Sequence, residues 1–479
     1  MQENDESTRE KTHPATVAVL GPGGVGGLLA ALFARAGHRV ICLAAEQTAN
    51  TLRDNGIHVR STRFGDFTAR VEADTVLREP VDLCVVTVKH TALEAALDRV
   101  PAENLAGVIV PLLNGVEHVD ALRARYGHRV VPAVIRVESA RTEPGVVVHG
   151  SAFAEIDLAG PADRLAAPAA LLTEAGIDTR VLPDADAALW DKLSFLTPFA
   201  LLTTRHRATI GEIRVGHRRE LETLVRETAA VGRACGGTME PAQILDRYNA
   251  FPAHGRSSMQ RDAEAGRPLE LDAIGGAVLR AAARHGIDAP FTAELVAELS
   301  ARDRVVRFLG DREADRIPHP GGTLLGHLLR VAEVLETWGA DRDTCAAGLC
   351  HAAYGTDGFD RSLLAPTDRR TLAALIGERA EALVYLYGSC DRSAVYPRLT
   401  AAPARLRDRF TGNDFEPDAE DLRAFMAITV ANELDVLSHN PEIAAAHGPA
   451  LLDLFERTSS LLPEPARRAV AESRTRLPG

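Results

Sequence analysis

Along the first third of the chain, short wholly apolar runs alternate with longer stretches rich in Ala, Leu and Arg. "TVAVLG" from Thr16, "RVICLA", "VDLCVVTVK", "GVIVPLLNG" and "RVVPAVI" lack the in-and-out alternation of a half-exposed strand. Strands of that kind are buried on both faces, and the helical stretches between them predict a parallel sheet covered by helices over residues 16–182. From Asp184 to about Val305 such runs vanish. Apolar residues recur there at i, i+3 and i+4, as in "LETLVRETAAVGRAC" and "IGGAVLRAAARHG", which predicts an all-α second domain over 183–305. The polar "GDREADRIPHPGG", Gly310 to Gly322, breaks both patterns and reads as part of a linker over 306–322. Helical spacing then resumes in a third, all-α domain over 323–467. The polar first residues, 1–15, read as a disordered tail without the apolar core of a signal peptide.

Composition narrows the partners. A chain of 479 residues exceeds one ordinary core, and 46% hydrophobic with 25% charged residues is globular. A net charge of -12 without a basic block excludes phosphate-neutralising contact with nucleic acid or a membrane surface, so a small molecule is the expected partner. The apolar stretch from Thr16 carries Gly-Pro-Gly-Gly, which suits a strand, turn and helix better than a membrane span. Six cysteines form no CxxC pair and lie mostly in apolar runs, as buried thiols in the reducing cytoplasm would.

"TVAVLGPGGVGGLLAALFARAGHRVICL" reads as strand, Gly21-x-Gly23-x-x-Gly26, helix and strand. In that context Gly21 permits the tight turn, Gly23 lets a pyrophosphate approach the backbone, and Gly26 lets the helix pack on the strand. The helix start, with Gly24 and Val25, offers N–H groups and a partial positive charge to the phosphates. The second strand ends in Ala44, Ala45 and Glu46. An acid there favours NAD, and no Arg for the 2′-phosphate of NADP stands at the strand end unless Arg53 swings in, so NADP and NAD both stay open.

Of 54 lysines and arginines only Lys11, Lys89 and Lys192 are lysines, and Lys192 stands in "ALWDKLSFLTPF". The motifs "GPGGVGG", "VTVKH", "PLLNGVE", "LWDKLSF" and "SSMQRDAEAGRPLELDAIGG", in this order, resemble the ketopantoate reductase (2-dehydropantoate 2-reductase) family over residues 16–305. The resemblance implies a Rossmann domain, a helical catalytic domain, an NAD(P)H cofactor and reduction of a 2-oxo acid or related carbonyl. It implies that Lys192 is the general acid, that Glu270 orients substrate and lysine, that Asn114 and Lys89 lie at the nicotinamide end of the cleft, and that Ser258 binds the substrate carboxylate. It also implies a homodimer. Chemistry agrees on Lys192, since the carbonyl oxygen gains negative charge and then a proton, and lysine, unlike arginine, releases one readily when burial lowers its pKa. The alternatives are a lysine snorkelling beside Trp190, a strand-end charge at Lys89, an Asn-Gly turn at Asn114, a Ser257/Gln260 capping box in place of a binding Ser258, and a solvated Glu270. One departure stands out: the family's asparagines four and eight residues after the lysine are Leu196 and Ala200 here, which puts ketopantoate itself in doubt as substrate.

In the third domain His327 lies early in one helix, His351 late in the next, and Asp435 in "ANELDVL" far downstream. The layout resembles a degenerate HD-type domain, with His319 and Asp391 as weaker candidates. The residue after His351 is Ala352, not Asp, and a hard divalent ion lacking that oxygen is weakly held, so no metal is expected and a helical module for partner or ligand contact is. The alternatives to the reductase are a metal-dependent phosphohydrolase in this domain and a non-catalytic dinucleotide sensor.

Overall fold

The computed structural model describes residues 14–359, 361–400 and 403–476, so most of the expected tail lies outside the described residues. The chain divides into two compact units, residues 1–260 with 269–299, and residues 261–268 with 300–479.

The first unit opens with β1 (Thr16–Leu20), α1 (Gly24–Arg35), β2 (Arg39–Leu43), α2 (Glu46–Asn55), β3 (Ile57–Ser61), β4 (Phe67–Ala69) and β5 (Glu72–Asp74). There follow β6 (Val81–Val86), α3 (Leu93–Leu97), β7 (Leu105–Pro111), α4 (His118–Tyr126), β8 (Ala133–Arg136), β9 (Ser139–Glu143), β10 (Val146–His149), β11 (Glu155–Ala159), α5 (Ala162–Glu174) and β12 (Asp178–Leu182). The main sheet has the order β5-β2-β1-β6-β7 and is parallel throughout, with Leu20 of β1 level with Leu43 on one side and Val86 on the other. Four of the five apolar runs are its buried strands β1, β2, β6 and β7, covered on both faces as their lack of alternation requires, whereas the fifth, "RVVPAVI", expected in the same sheet, supplies β8 of a smaller sheet, antiparallel to β11, and the main sheet is completed by the short β5. Two smaller sheets, β4-β3-β10-β9 and β12-β11-β8, extend the domain.

Helices α6 (Ala185–His206), α7 (Ile210–Gly216), α8 (Arg218–Ala234), α9 (Pro241–Ala250), α10 (Ser258–Glu264), α11 (Ala277–His285) and α12 (Pro290–Gly310) complete the helical region. Asp184 caps α6, accepting from the N–H groups of Asp186 and Ala187 at 2.9 and 3.1 Å. Ser194 and Thr228 exchange hydroxyl-to-carbonyl bonds of 3.3 and 3.2 Å, fastening α6 to α8.

The second unit carries α13 (Leu324–Thr337), α14 (Arg342–Cys350), α15 (Arg369–Ile376), α16 (Glu378–Ser389), α17 (Arg392–Val395), α18 (Ala419–His439), α19 (Pro441–Arg457) and α20 (Glu464–Arg476) around one apolar core. Residues 306–322, expected as a linker, are instead built into this unit. Helix α12 continues to Gly310, Ala314 and Ile317 are buried in the core, and the short strands Pro318–His319 and Gly322–Thr323 pair. Two apolar residues amid charges were enough to anchor the segment, a spacing too sparse to register as periodicity. No helix of the described residues is long and apolar enough to cross a membrane.

Candidate active site

Parallel strands end together, so the loops after β1, β6 and β7 share one edge of the sheet. At the first, the Thr87 hydroxyl donates to the carbonyl of Gly21 at 2.8 Å, tying the β6 exit to the glycine turn. A Cβ at Gly26 would sit 2.2 Å from that hydroxyl, whereas one at Gly23 would find no protein atom closer than 3.9 Å. The turn Gly21, Gly23, Gly24, Val25, Gly26 is thus packed shut on the protein side and open above Gly23, and no side chain caps α1. Space beside an uncapped helix start fits a pyrophosphate. Further along, Arg53 donates to the carbonyl of Ala73 at 2.8 Å and lies 3.3 Å from Glu46, so the acid of the ribose end already has a cation beside it.

The second and third loops meet a carboxylate from the helical region. Glu270 is only 8% exposed; its Oε1 accepts the backbone N–H of His90 at 2.9 Å and its Oε2 accepts the Asn114 side-chain amide at 3.1 Å. Gly115 makes the approach feasible: its φ is +86°, and a Cβ there would stand 2.4 Å from the carbonyl of Ala273. Ala273 belongs to a π-helical turn, Asp272–Gly276, a local irregularity common at functional sites. Arg280 braces the junction, donating to Glu117 at 2.9 and 2.6 Å and to Asp272 at 2.7 Å.

Lys192 lies on α6 in the company of this carboxylate. Burial brings its pKa down to about 8, the Glu270 charge resisting and the Arg136 charge adding to the fall. A half-buried ammonium with such a pKa is mostly charged at neutral pH yet able to release its proton. Leu196, one turn on, shares the Lys192 face and is half-buried, while Ala200 is buried. Beside them Phe195 stacks on Tyr248 with centroids 4.4 Å apart, and Phe251 lies 5.9 Å from Phe195.

The structure thus brings Lys192, Glu270 and Asn114 together. Lys89 is exposed, at the β6 exit next to His90. Ser258 is exposed at the start of α10, whereas its neighbour Ser257 is buried, accepts the Gln260 N–H at 3.0 Å and receives the Thr203 hydroxyl at 2.8 Å, as a capping residue does. Sequence reasoning missed His90 and His118. His118, the first residue of α4, is fully buried with neither ring nitrogen hydrogen-bonded, and burial with the charges of Lys192 and His90 pushes its pKa down to about 3. Their only signal was adjacency, directly after "VTVK" and "NGVE".

In the second unit His327, His351 and Asp435 do meet, but as a closed network. His327 Nδ1 lies 2.6 Å from Asp435, and its Nε2 lies 2.9 Å from Asn432 Oδ1 and 3.3 Å from His351 Nε2. His351 Nδ1 donates to the carbonyl of Gly348 at 2.7 Å, and Arg330 grips both Asp435 oxygens at 2.7 and 2.8 Å. A guanidinium stands on the carboxylate that would face a metal. His319 stacks on His327, with centroids 4.1 Å apart, and Asp391 caps α17 instead. A different trio, His206, His217 and Glu220, has donor atoms within 4.8 Å of one another, with Arg205 3.3 Å from Glu220.

A dinucleotide-type sheet joined to a helical domain that supplies a lysine and a glutamate defines an NAD(P)-dependent oxidoreductase of the C=O/CH–OH class. Residues 17–160 match the model of ketopantoate reductase PanE/ApbA and 184–303 that of its C-terminal domain, so the chain belongs to the ketopantoate reductase family. It is 32% identical over 296 residues to the 2-dehydropantoate 2-reductase of Caulobacter vibrioides, covering 60% of this chain and 98% of that protein. To the 2-dehydropantoate 2-reductase of Mycobacterium tuberculosis it is 31% identical over 301 residues, covering 60% and 97%. The crystal structure of 2-dehydropantoate 2-reductase from Geobacter metallireducens superposes with a TM-score of 0.55 at 29% identity, covering 60% of this chain and 99% of that one. Residues 308–392 match a domain of unknown function, DUF6817.

Proposed function

We propose that this chain reduces the 2-oxo group of a small 2-oxo acid, with Lys192 as proton donor and Glu270 and Asn114 as the groups that set its position. The nicotinamide, when bound, supplies the hydride. Residues Gly21 to Gly26 hold the pyrophosphate, and Lys89 lies at the nicotinamide end. As the carbonyl oxygen gains charge the Lys192 ammonium stabilises it and then transfers its proton, leaving a neutral amine. Glu270, fixed by His90 and Asn114, keeps the lysine charged and aimed. Ser258 is the carboxylate contact in this reading, and the Leu196, Ala200 and Phe195 face favours a substrate whose remaining substituent is apolar, since a hydroxylated one would leave hydrogen bonds unmade there.

The observation that carries the proposal is one carboxylate, Glu270, bonded to the loops after two adjacent strands and electrostatically coupled to the only lysine of the helical region. Residues 16–182, 183–305 and 323–467 serve as dinucleotide, catalytic and auxiliary domains. All six cysteines are free, with Cys42, Cys84, Cys350 and Cys390 pushed up to about 12 by burial, which supports a cytoplasmic setting. A homodimer belongs to the same proposal and is read by sedimentation. The deciding experiment follows NADH and NADPH oxidation in parallel across a panel of 2-oxo acids, and turnover that Lys192→Ala leaves intact sinks the assignment.

A further inference from the structure

The helical region holds a second group of ligand-type side chains. His206 lies in the last turn of α6, His217 directly precedes α8, and Glu220 stands in the first turn of α8. One carboxylate is shared between the two rings: Glu220 Oε2 lies 2.8 Å from His206 Nε2, and Oε1 lies 3.3 Å from His217 Nδ1. The rings themselves stack, with centroids 3.5 Å apart and planes inclined by 22°. Neither histidine has an ordinary task there. His217 occupies the cap position of α8, where Ser, Thr, Asp or Asn would accept a backbone N–H, yet its side chain makes no cap bond. His206 sits at a helix end whose partial negative charge favours a cation, yet burial lowers its pKa and keeps the ring neutral at neutral pH. Two rings stacked this closely, beside Arg205 and with a single carboxylate between them, cannot both carry charge. A neutral imidazole is the form that ligates a metal.

We infer that His206, His217 and Glu220 bind a divalent transition-metal ion of the zinc class, which clasps the end of α6 to the start of α8. Two imidazoles and one carboxylate suit such an ion, whereas magnesium and calcium take oxygen ligands. A tetrahedral ion about 2.0–2.1 Å from each ligand holds the ligand atoms about 3.3 Å apart. The three donor atoms already lie within 4.8 Å of one another, so side-chain movements of about 1.5 Å or less admit the ion. All three side chains are half-buried, which leaves water access to the fourth position. Each ring then keeps its one proton on the nitrogen facing away from the ion, so binding requires a change of tautomer and no loss of a proton. Arg205 is the competitor, 3.3 Å from Glu220, and it has a second acid to turn to in Glu298, at 3.2 Å. His206 lies about four turns beyond Lys192 on α6, roughly 20 Å along the helix, so the ion is structural and the inference stands apart from the proposed reduction.

Equilibrium dialysis of the chelator-stripped, full-length chain against Zn²⁺, read by elemental analysis, tests the site. One ion per chain is expected, and the bound ion should raise the thermal unfolding midpoint, because it binds the folded chain alone. His206→Ala and His217→Ala should each weaken binding more than about tenfold, since even groups that merely orient a metal ligand cost that much, and should abolish the rise in midpoint. Co²⁺ in place of Zn²⁺ should give the visible absorption of a tetrahedral ion in the wild-type chain and not in either variant. His206→Gln and His217→Asn keep an amide donor for Glu220 while removing the imidazole, and are expected to lose the ion in the same way if the alanine variants fold poorly. Arg205→Gln, which removes the competing cation, should tighten binding. A chain that takes up no stoichiometric ion overturns the inference. So does one whose uptake and midpoint shift survive both histidine changes, the ion then being adventitious on other histidines.

Discussion

Two clusters of histidine, carboxylate and cation, one around Lys192 and one around His327, are treated in opposite ways. Both ring nitrogens of His327 and of His351 and both Asp435 oxygens are spoken for, only the Nδ1 of the stacked His319 being unpartnered, and the nearby cation, Arg330, is one that holds its proton at any working pH. Around Lys192 the carboxylate is pinned while the imidazoles of His90 and His118 are left open, and the cation is one that can let go of its proton. A saturated buried network fixes a fold; one with unmet donors and acceptors beside a labile proton has room for a ligand and for proton movement. The contrast is why the proposed chemistry is placed at Lys192: the Asp435 carboxylate is already held by Arg330 and His327, whereas the Lys192 ammonium is the cation that can release a proton.

The strongest way to break the contrast is to remove the labile cation. Lys192→Ala is expected to lower kcat/KM by about 10²–10⁴-fold, as loss of a positioned general acid does, and Lys192→Arg to recover little because it cannot donate. Steady-state assays on a responsive 2-oxo acid measure both. The complementary change in the saturated cluster should act on stability alone. Asp435→Ala strands the buried His327 and part of Arg330, a loss of about 3 kcal/mol in the second unit, visible as a lower unfolding midpoint in denaturant. A variant that unfolds normally yet loses reductase activity would invert the assignment of roles.

Acid and base separate the clusters further. In the proposed reaction the Lys192 ammonium is the proton donor, so kcat/KM should be flat below about 8, the lowered pKa, and fall about tenfold per unit above it. Glu270→Gln should move that limb to lower pH, since the Glu270 charge is what resists the fall. The second unit responds at the other end of the scale. Burial alone would raise Asp435, but the Arg330 and His327 bonds outweigh it and hold the carboxyl at about 2, so its stabilisation is complete above its ordinary value of 3.8 and is lost as pH falls through 2. His351, pushed down to about 3 by burial, stays neutral when folded, so below 6.5 protons taken up by the unfolded chain erode stability by up to about 1.4 kcal/mol per unit. Thermal midpoints between pH 7 and 4 should therefore drop well before any change in the alkaline limb.

Much of this was legible in the residues. The five long apolar runs became β1, β2, β6, β7 and β8, because burial on both faces leaves a continuous apolar signature. Strands β3 and β12 escaped notice, since "IHVRS" and "DTRVL" lie in small sheets and mix polar with apolar positions. The glycine turn, Lys192, Asn114 and Glu270 could be found because motifs in a fixed order carry chemistry by residue type. His118 could not: what sets it apart is that neither ring nitrogen is bonded, and an unmet hydrogen bond leaves no trace in a one-dimensional pattern. Gly115 and Arg280, which bring Asn114 and Glu270 into register, were hidden for a related reason, as each acts across more than 150 residues of chain.

The finest test of the comparison concerns the apolar face beyond Lys192. A buried polar group is tolerated only with a partner, so the same face that would leave the hydroxyl of a hydroxylated 2-oxo acid unbonded is harmless to an alkyl one. Leu196→Asn places an amide on the Lys192 side of α6, one turn away, within the half-buried stretch a substrate's substituent would meet. With one hydrogen bond gained, a net of about 1 kcal/mol, the ratio of kcat/KM for a hydroxylated over an alkyl 2-oxo acid should rise about fivefold. Phe195→Leu should leave that ratio unmoved, because it alters bulk without adding a donor. Equal changes in both substrates with Leu196→Asn would place the side chain outside the pocket, and the site would then owe its selectivity to some other wall.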